Sequence, residues 1–244
     1  RCAEAARAAA RSLRFGEDWR FNVISMTDTV SIPLAKRRDD ILAELAQAAR
    51  PPPCLVAVSK TQPDEKIDAM LAAGQRVFGE NRVQEAQAHW TERRGQYPDL
   101  ELRLIGPLQT NKAEDAVALF DVIETLDRDK LARALAKAIE KVGRAPGIFI
   151  QVNTGEEPQK AGVTPDGLEA LLKVAVGECG LDVQGLMCIP PVDEPAGPHF
   201  ALLAKLARRH GLTGLSMGMS GDYALAASFG ATHVRIGTAL FGAR

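Results

Sequence analysis

The sequence predicts an α/β protein: a single (β/α)8 barrel of the TIM type with an extra N-terminal helix. Three observations carry that prediction. Eight short apolar, β-rich runs are separated by amphipathic segments of helical period, the pattern of a parallel sheet whose crossovers are helices. Eight such units favour closure into a barrel over an open doubly wound sheet. No low-complexity linker interrupts the alternation, so no second domain is expected.

The elements follow in order. "LAKRRDDILAELAQAAR" (34–50) is amphipathic and ends at Pro51, Pro52 and Pro53, which cannot continue a helix. "CLVAVSK" (54–60) reads as the first strand, and "PDEKIDAMLAAG" as a helix with Pro63 early and Gly74 at its end. "RVFGE" (76–80) is a short strand and "NRVQEAQAHWTERRG" a helix. The strands "ELRLIG" (101–106) and "FDVIET" (120–125) bracket the helical "TNKAEDAVAL". Leu131, Leu135, Ile139 and Val142 mark one helix face, and "GIFIQVN" (147–153) is the fifth strand. Leu168, Leu171, Leu172 and Ala175 mark the next helix, before the strand "LDVQGLMCI" (181–189). "GPHFALLAKLARRHG" is a helix, "LTGLSM" (212–217) a strand and "SGDYALAASFG" (220–230) a helix. "THVRIG" (232–237) is the last strand, and "TALFGAR" opens a final helix.

Composition narrows the function classes. The 244 residues are 46% hydrophobic and 25% charged, with a formal net charge of −1. That balance provides enough chain for a large core and no electrostatic case for nucleic acid or an anionic membrane surface. No apolar stretch reaches transmembrane length. Cys2, Cys54, Cys179 and Cys188 are scattered, which points to reduced thiols in a cytoplasmic protein. His89, His199, His210 and His233 lack metal-ligand spacing, so no metal is expected. Residues 1–25 are rich in Ala and Arg, but Glu4, Glu17 and Asp18 argue against a transit peptide. They read as an extension ahead of a start at Met26, leaving 26–244 for the barrel.

In this architecture the C-terminal ends of the strands face the active-site mouth. Lys60 ends the first apolar run, where a lysine is either a solvated strand end or an amine kept for Schiff-base chemistry. "SMGMSGDYA" (216–224) and "RIGTALFG" (235–242) follow the seventh and eighth strands. Ser220 with Gly221, and Gly237 with Thr238, place small and hydroxyl residues where barrels bind phosphate. The residues alone therefore describe a lysine facing a phosphate-bearing ligand. A sugar phosphate in a Schiff-base aldolase and pyridoxal phosphate both satisfy this description. Arg235, two residues before Gly237, favours the second, because it could donate to the pyridine nitrogen.

The blocks "LVAVSKTQP", "FGENRVQE", "LIGPLQTNK", "VNTGEEPQKAGV", "GLMCIPP" and "SMGMSGDYALAASFGATHVRIGTALFGAR" resemble the pyridoxal-phosphate homeostasis protein family. They run in the family's order across residues 54–244. The resemblance implies a barrel similar to the N-terminal domain of alanine racemases, with Lys60 as the cofactor lysine and Asn81 near the cofactor. Ser220, Gly237 and Thr238 would contact the phosphate, and Arg235 would face the pyridine nitrogen. Met217 and Met219 match methionines close to the ring. Arg103 and Leu104 depart from the aromatic or histidine that family members often carry before "IG".

The resemblance also implies a protein that holds pyridoxal phosphate as a Schiff base on Lys60 and takes part in intracellular homeostasis of the cofactor. No turnover and no catalytic residue are expected. Its partners would be pyridoxal phosphate and pyridoxal-phosphate-dependent apoenzymes, and a monomer is the expected state. The alternatives are a pyridoxal-phosphate-dependent amino-acid racemase and, behind it, a Schiff-base aldolase. Racemisation usually needs a second acid/base on the opposite face of the substrate, and the sequence has only Tyr97 and Tyr223 as tyrosines.

Overall fold

The structure is a computed structural model, and it describes residues 33–242. The extension at 1–25, the start at Met26 and the last two residues of the run "TALFGAR" lie outside the described residues.

Helix α1 (Leu34–Ala48) precedes the barrel and buries Ile41 and Leu45, one turn apart on a single face. The strands are β1 (Cys54–Val58), β2 (Val77–Glu80), β3 (Glu101–Leu104), β4 (Val122–Leu126), β5 (Gly147–Gln151), β6 (Val183–Met187), β7 (Gly214–Ser216) and β8 (His233–Ile236). They pair in sequence order as parallel neighbours, and β8 returns to β1 with Leu55 opposite Val234 and Ala57 opposite Ile236. The predicted closed barrel is thus the observed one. The crossovers are α2 (Asp64–Ala72), α3 (Val83–Gln96), α4 (Ala113–Leu119), α5 (Asp129–Val142), α6 (Leu168–Leu172), α7 (Ala196–Arg209) and α8 (Tyr223–Ser228), with α9 (Thr238–Phe241) after β8. Beyond Leu172, α6 continues as π-helical turns over Lys173–Glu178.

Most of the apolar core lies between the sheet and the helices. Leu131, Leu135 and Ala138 of α5 are buried at helical spacing, and Gly143 ends that helix at φ 73°, a conformation that suits glycine. Trp90 of α3 is fully buried against Phe78 of β2, with ring centroids 4.6 Å apart.

The barrel interior is different in kind. Phe149 and Met187 share it with an ionic chain built from four strands. Arg103 of β3 donates through Nε to Glu124 of β4 (2.5 Å), and Ser216 of β7 donates to the other Glu124 oxygen (2.5 Å). Arg235 of β8 donates to the Ser216 hydroxyl (2.7 Å) and to the Cys188 carbonyl (2.8 Å). Burial by itself would raise the Glu124 carboxyl. The guanidinium groups of Arg103 and Arg235 and the hydrogen bonds from Ser216 and Arg103 outweigh it and hold Glu124 below the usual carboxylate range. Small residues make room for this interior: a Cβ on Gly185 would sit 2.3 Å from the Gly214 carbonyl oxygen.

Candidate functional site

A cavity of about 340 Å³ opens at the C-terminal end of the barrel, within the usual range for small-molecule sites. Lys60, Asn81, Ser220, Arg235, Gly237 and Thr238 all line it. Six residues from three separate sequence blocks are thereby brought to one place. Met219 lines the cavity too, whereas Met217 is fully buried in the apolar core and does not. The two methionines part because β7 ends at Ser216 and Gly218 turns the chain at φ 93°.

Each lining residue has a local cause. Lys60 sits just past β1 in a turn closed by the Gln62 N–H donating to the Ser59 carbonyl (3.0 Å). Thr61, next in that turn, has φ 59°, and its N–H donates to the Glu85 carboxylate. Asn81 follows β2, and Gly106 lets the end of β3 pack on its backbone: a Cβ there would lie 2.3 Å from the Asn81 carbonyl oxygen. Arg235 is 4% exposed and fixed from two sides by Ser216 and Cys188. Its place is therefore set by the ionic chain beneath.

Ser220 and Gly221 do not open a helix as expected. The Asp222 side chain accepts the Met219 N–H (2.6 Å), and α8 begins only at Tyr223. The chemistry expected of them survives this change. Among the described residues, the backbone N–H groups of Ser220, Gly221, Gly237 and Thr238 have no hydrogen-bond partner in the protein. The Ser220 hydroxyl accepts the Ala239 N–H (3.2 Å), which ties the two loops together. Two adjacent pairs of N–H donors without partners at the cavity edge leave backbone donors available to an anion, so the site fits a ligand carrying phosphate.

Sequence reasoning missed Gln62, Ile105 and Ile189, which with Val58 and Gly242 complete the lining. Ile105 and Ile189 were legible only as ends of apolar runs. Arg103, the departure from the family pattern, is no part of the wall. It points into the barrel, where its Nη1 reaches Glu101 (2.5 Å) and its guanidinium lies 5.1 Å from the Phe149 ring centre. Ile105 forms the wall instead.

Other candidate groups are committed elsewhere. The Tyr223 hydroxyl donates to Glu44 (2.5 Å), and burial together with that carboxylate pushes it up to about 12. Tyr97 lies under Arg76, 5.0 Å from its ring centre. Burial pushes the Cys188 thiol up to about 12, so it stays protonated.

Comparison with known proteins agrees with this geometry. The alanine racemase N-terminal domain family matches residues 40–244. A pyridoxal phosphate homeostasis protein of Pseudomonas aeruginosa is 42% identical over 214 residues, covering 83% of this chain and 91% of its own. Its counterpart in Escherichia coli is 36% identical over 226 residues, 86% of this chain and 95% of the relative. The structure of PipY from Synechococcus elongatus PCC7942 with pyridoxal phosphate bound superposes with a TM-score of 0.76 at 40% identity, over 86% of this chain and all of PipY. An alanine racemase from Clostridium difficile 630 has a TM-score of 0.69 at 14% identity, over 87% of this chain and 57% of the racemase, a likeness of fold. The chain belongs to the alanine racemase N-terminal domain family and, within it, to the pyridoxal phosphate homeostasis proteins.

Proposed function

We propose that this chain binds pyridoxal phosphate covalently through Lys60 and takes part in cytoplasmic homeostasis of the cofactor without turning over an amino acid. The observation that carries the reading is the convergence of Lys60, Arg235 and the four free N–H groups on one cavity. When bound, the cofactor supplies an aldehyde carbon that the Lys60 amine takes as a C=N bond, with release of one water. Ser220, Gly237 and Thr238 would hold the phosphate, with Asn81 beside the ring and Arg235 toward the pyridine nitrogen.

Arg235 also argues for holding over catalysis. A guanidinium has donors only and cannot accept a hydrogen bond from a pyridinium N–H, so it favours the unprotonated ring, a weaker electron sink than one paired with a carboxylate. The anionic Glu124 lies beneath Arg235, 3.9 Å from its guanidinium. With Tyr223 on Glu44 and Tyr97 under Arg76, neither tyrosine is placed as the second acid/base that racemisation uses. The cytoplasmic assignment rests on Cys54, Cys179 and Cys188, which are all free thiols. Among the described residues no helix is long and apolar enough to cross a membrane. We extend the reading to a monomer that passes the cofactor to pyridoxal-phosphate-dependent apoenzymes.

The test is an absorption spectrum and the intact mass after borohydride reduction, for wild type and Lys60→Ala. A visible band and a phosphopyridoxyl mass increment in the wild type, both absent in the variant, support the reading. A wild type that stays colourless and unmodified after incubation with pyridoxal phosphate overturns it. Loss of the α-hydrogen of an amino acid to deuterated water, dependent on Lys60, would replace it with the racemase reading.

A further inference from the structure

The turn that carries Lys60 is built in an unusual way. Ser59–Gln62 is a tight turn whose third residue lies at positive φ, a position that turns normally give to glycine or asparagine. Here it is Thr61, at φ 59°, and β-branched residues pay most for that conformation. Strain of this kind persists only where the surroundings hold it.

Two carboxylates on the neighbouring β2–α3 segment supply the hold. Glu85, in the first turn of α3, accepts the Thr61 N–H. Glu80, at the end of β2 and fully buried, accepts the Ser59 hydroxyl (2.7 Å) on the other side of Lys60. The same Glu80 oxygen takes the Trp90 indole N–H (3.0 Å) and lies 3.1 Å from His89 Nδ1. That hydrogen bond is the main cause that holds His89 above its usual range. The second Glu80 oxygen is buried without a partner, a cost that the apolar packing around Trp90 gives no reason to bear. Oxygens of Glu80 and Glu85 and a His89 nitrogen lie within 4.8 Å of one another, so the clamp is a single compact unit. Asn81, the residue after Glu80, lines the same cavity as Lys60.

We propose that Glu80 and Glu85 are positioning residues: through Ser59 and Thr61 they clamp the residues on both sides of Lys60 and keep its amine aimed into the cavity. The inference rests on the reading of Lys60 as the cofactor lysine and explains how an otherwise free loop lysine is pre-organised. Both glutamates act through the turn; neither touches the cofactor.

The experiment uses Glu85→Ala, with Ser59→Ala as a second variant because removal of the buried Glu80 risks the fold. In the protein without cofactor, amide hydrogen exchange is followed at Thr61. With pyridoxal phosphate added, the dissociation constant and the visible circular dichroism of the bound group are measured. Expected results for Glu85→Ala are faster exchange confined to residues 59–62, an affinity about tenfold weaker, and a reduced dichroic band at unchanged thermal stability. Thr61→Gly added to Glu85→Ala restores most of the affinity, because glycine holds positive φ without the clamp. A merely structural role would not give that rescue. Equal affinity and dichroism in wild type, Glu85→Ala and Ser59→Ala overturn the inference and leave the proposed function standing. Failure of the wild type to take up the cofactor overturns the proposed function and this inference with it, while Thr61 exchange still reports whether Glu85 holds the turn.

Discussion

The floor and the mouth of this barrel are built on opposite principles. In the floor, Arg103, Glu124, Ser216 and Arg235 are almost completely buried and bond one another across four strands, with Arg103 Nη2 left without a partner among the described residues. At the mouth, the N–H groups of Ser220, Gly221, Gly237 and Thr238 are left without partners among the described residues. One region spends its polar groups internally and the other keeps them for a ligand. Arg235 joins the two, with its anchors in the floor and its side chain in the cavity wall. Stability should therefore respond to the floor, affinity to the mouth, and both to Arg235.

The largest expected break is Arg103→Met. It removes the main counter-charge of Glu124 and leaves a buried carboxylate short of a partner, a change that typically costs about 3–5 kcal/mol. Urea unfolding should show the loss as a lower midpoint at unchanged slope. Adding Glu124→Leu should return much of the stability, because an apolar pair can replace a buried ion pair. Affinity for pyridoxal phosphate should not return with it, since Ser216 has lost the acceptor that orients it toward Arg235. Recovery of both together would erase the distinction between floor and mouth.

His233 gives a smaller effect and a pH signature. It lies at the bottom of the barrel, edge-on to Phe149 (5.7 Å between ring centres), with Nδ1 2.8 Å from the Thr232 hydroxyl. Burial, reinforced by Arg103, lowers its imidazole from 6.5 to about 4. A depressed folded value means that the native state prefers the neutral ring. Its stabilising contribution is complete above pH 6.5 and is lost as pH falls from there toward 4, amounting to about 3 kcal/mol. His233→Gln should flatten the stability profile across that window. An unchanged slope between pH 6.5 and 4 would show that the floor is open to water.

The same division explains what could be read from sequence. Alternation gave every strand and the closed barrel, because each unit announces itself locally. The run ending at Lys60 outlasts β1, which closes at Val58; the run ending at Gly106 outlasts β3, which closes at Leu104; and the run ending at Asn153 outlasts β5, which closes at Gln151. Residues just past a strand's end, such as Ile105, stay apolar because they line the cavity, so the pattern continues after the strand has stopped. Ser220, Arg235, Gly237 and Thr238 were legible because two short motifs carry all four. The floor was not. Arg103 and Glu124 are 21 residues apart, and Glu124 and Ser216 are 92 apart. No local period reports a pairing across the barrel, and a glutamate inside "FDVIET" looks like the solvated residue of an alternating strand. The Lys60 turn escaped for a related reason: Thr61 does not advertise a positive φ, and its support comes from α3.

The smallest expected effect falls at the mouth itself, with Ser220→Ala. The hydroxyl offers one donor to a phosphate oxygen and accepts the Ala239 N–H at 3.2 Å. Its removal loses the first bond and releases the second group, since the Ala239 N–H is then free to serve the same anion. The net cost should be that of about one partly compensated hydrogen bond, near 1 kcal/mol, or roughly fivefold in affinity. The borohydride-stable attachment to Lys60 and the unfolding midpoint should both be unchanged. Thr238→Val, which removes a hydroxyl with no such replacement nearby, should weaken binding more than Ser220→Ala. If the order is reversed, the released Ala239 N–H does not reach the ligand, and the phosphate lies nearer the β7 loop than the β8 loop. Equal losses, each of a hundredfold or more, would instead show that the hydroxyls and not the four free N–H groups supply most of the hold.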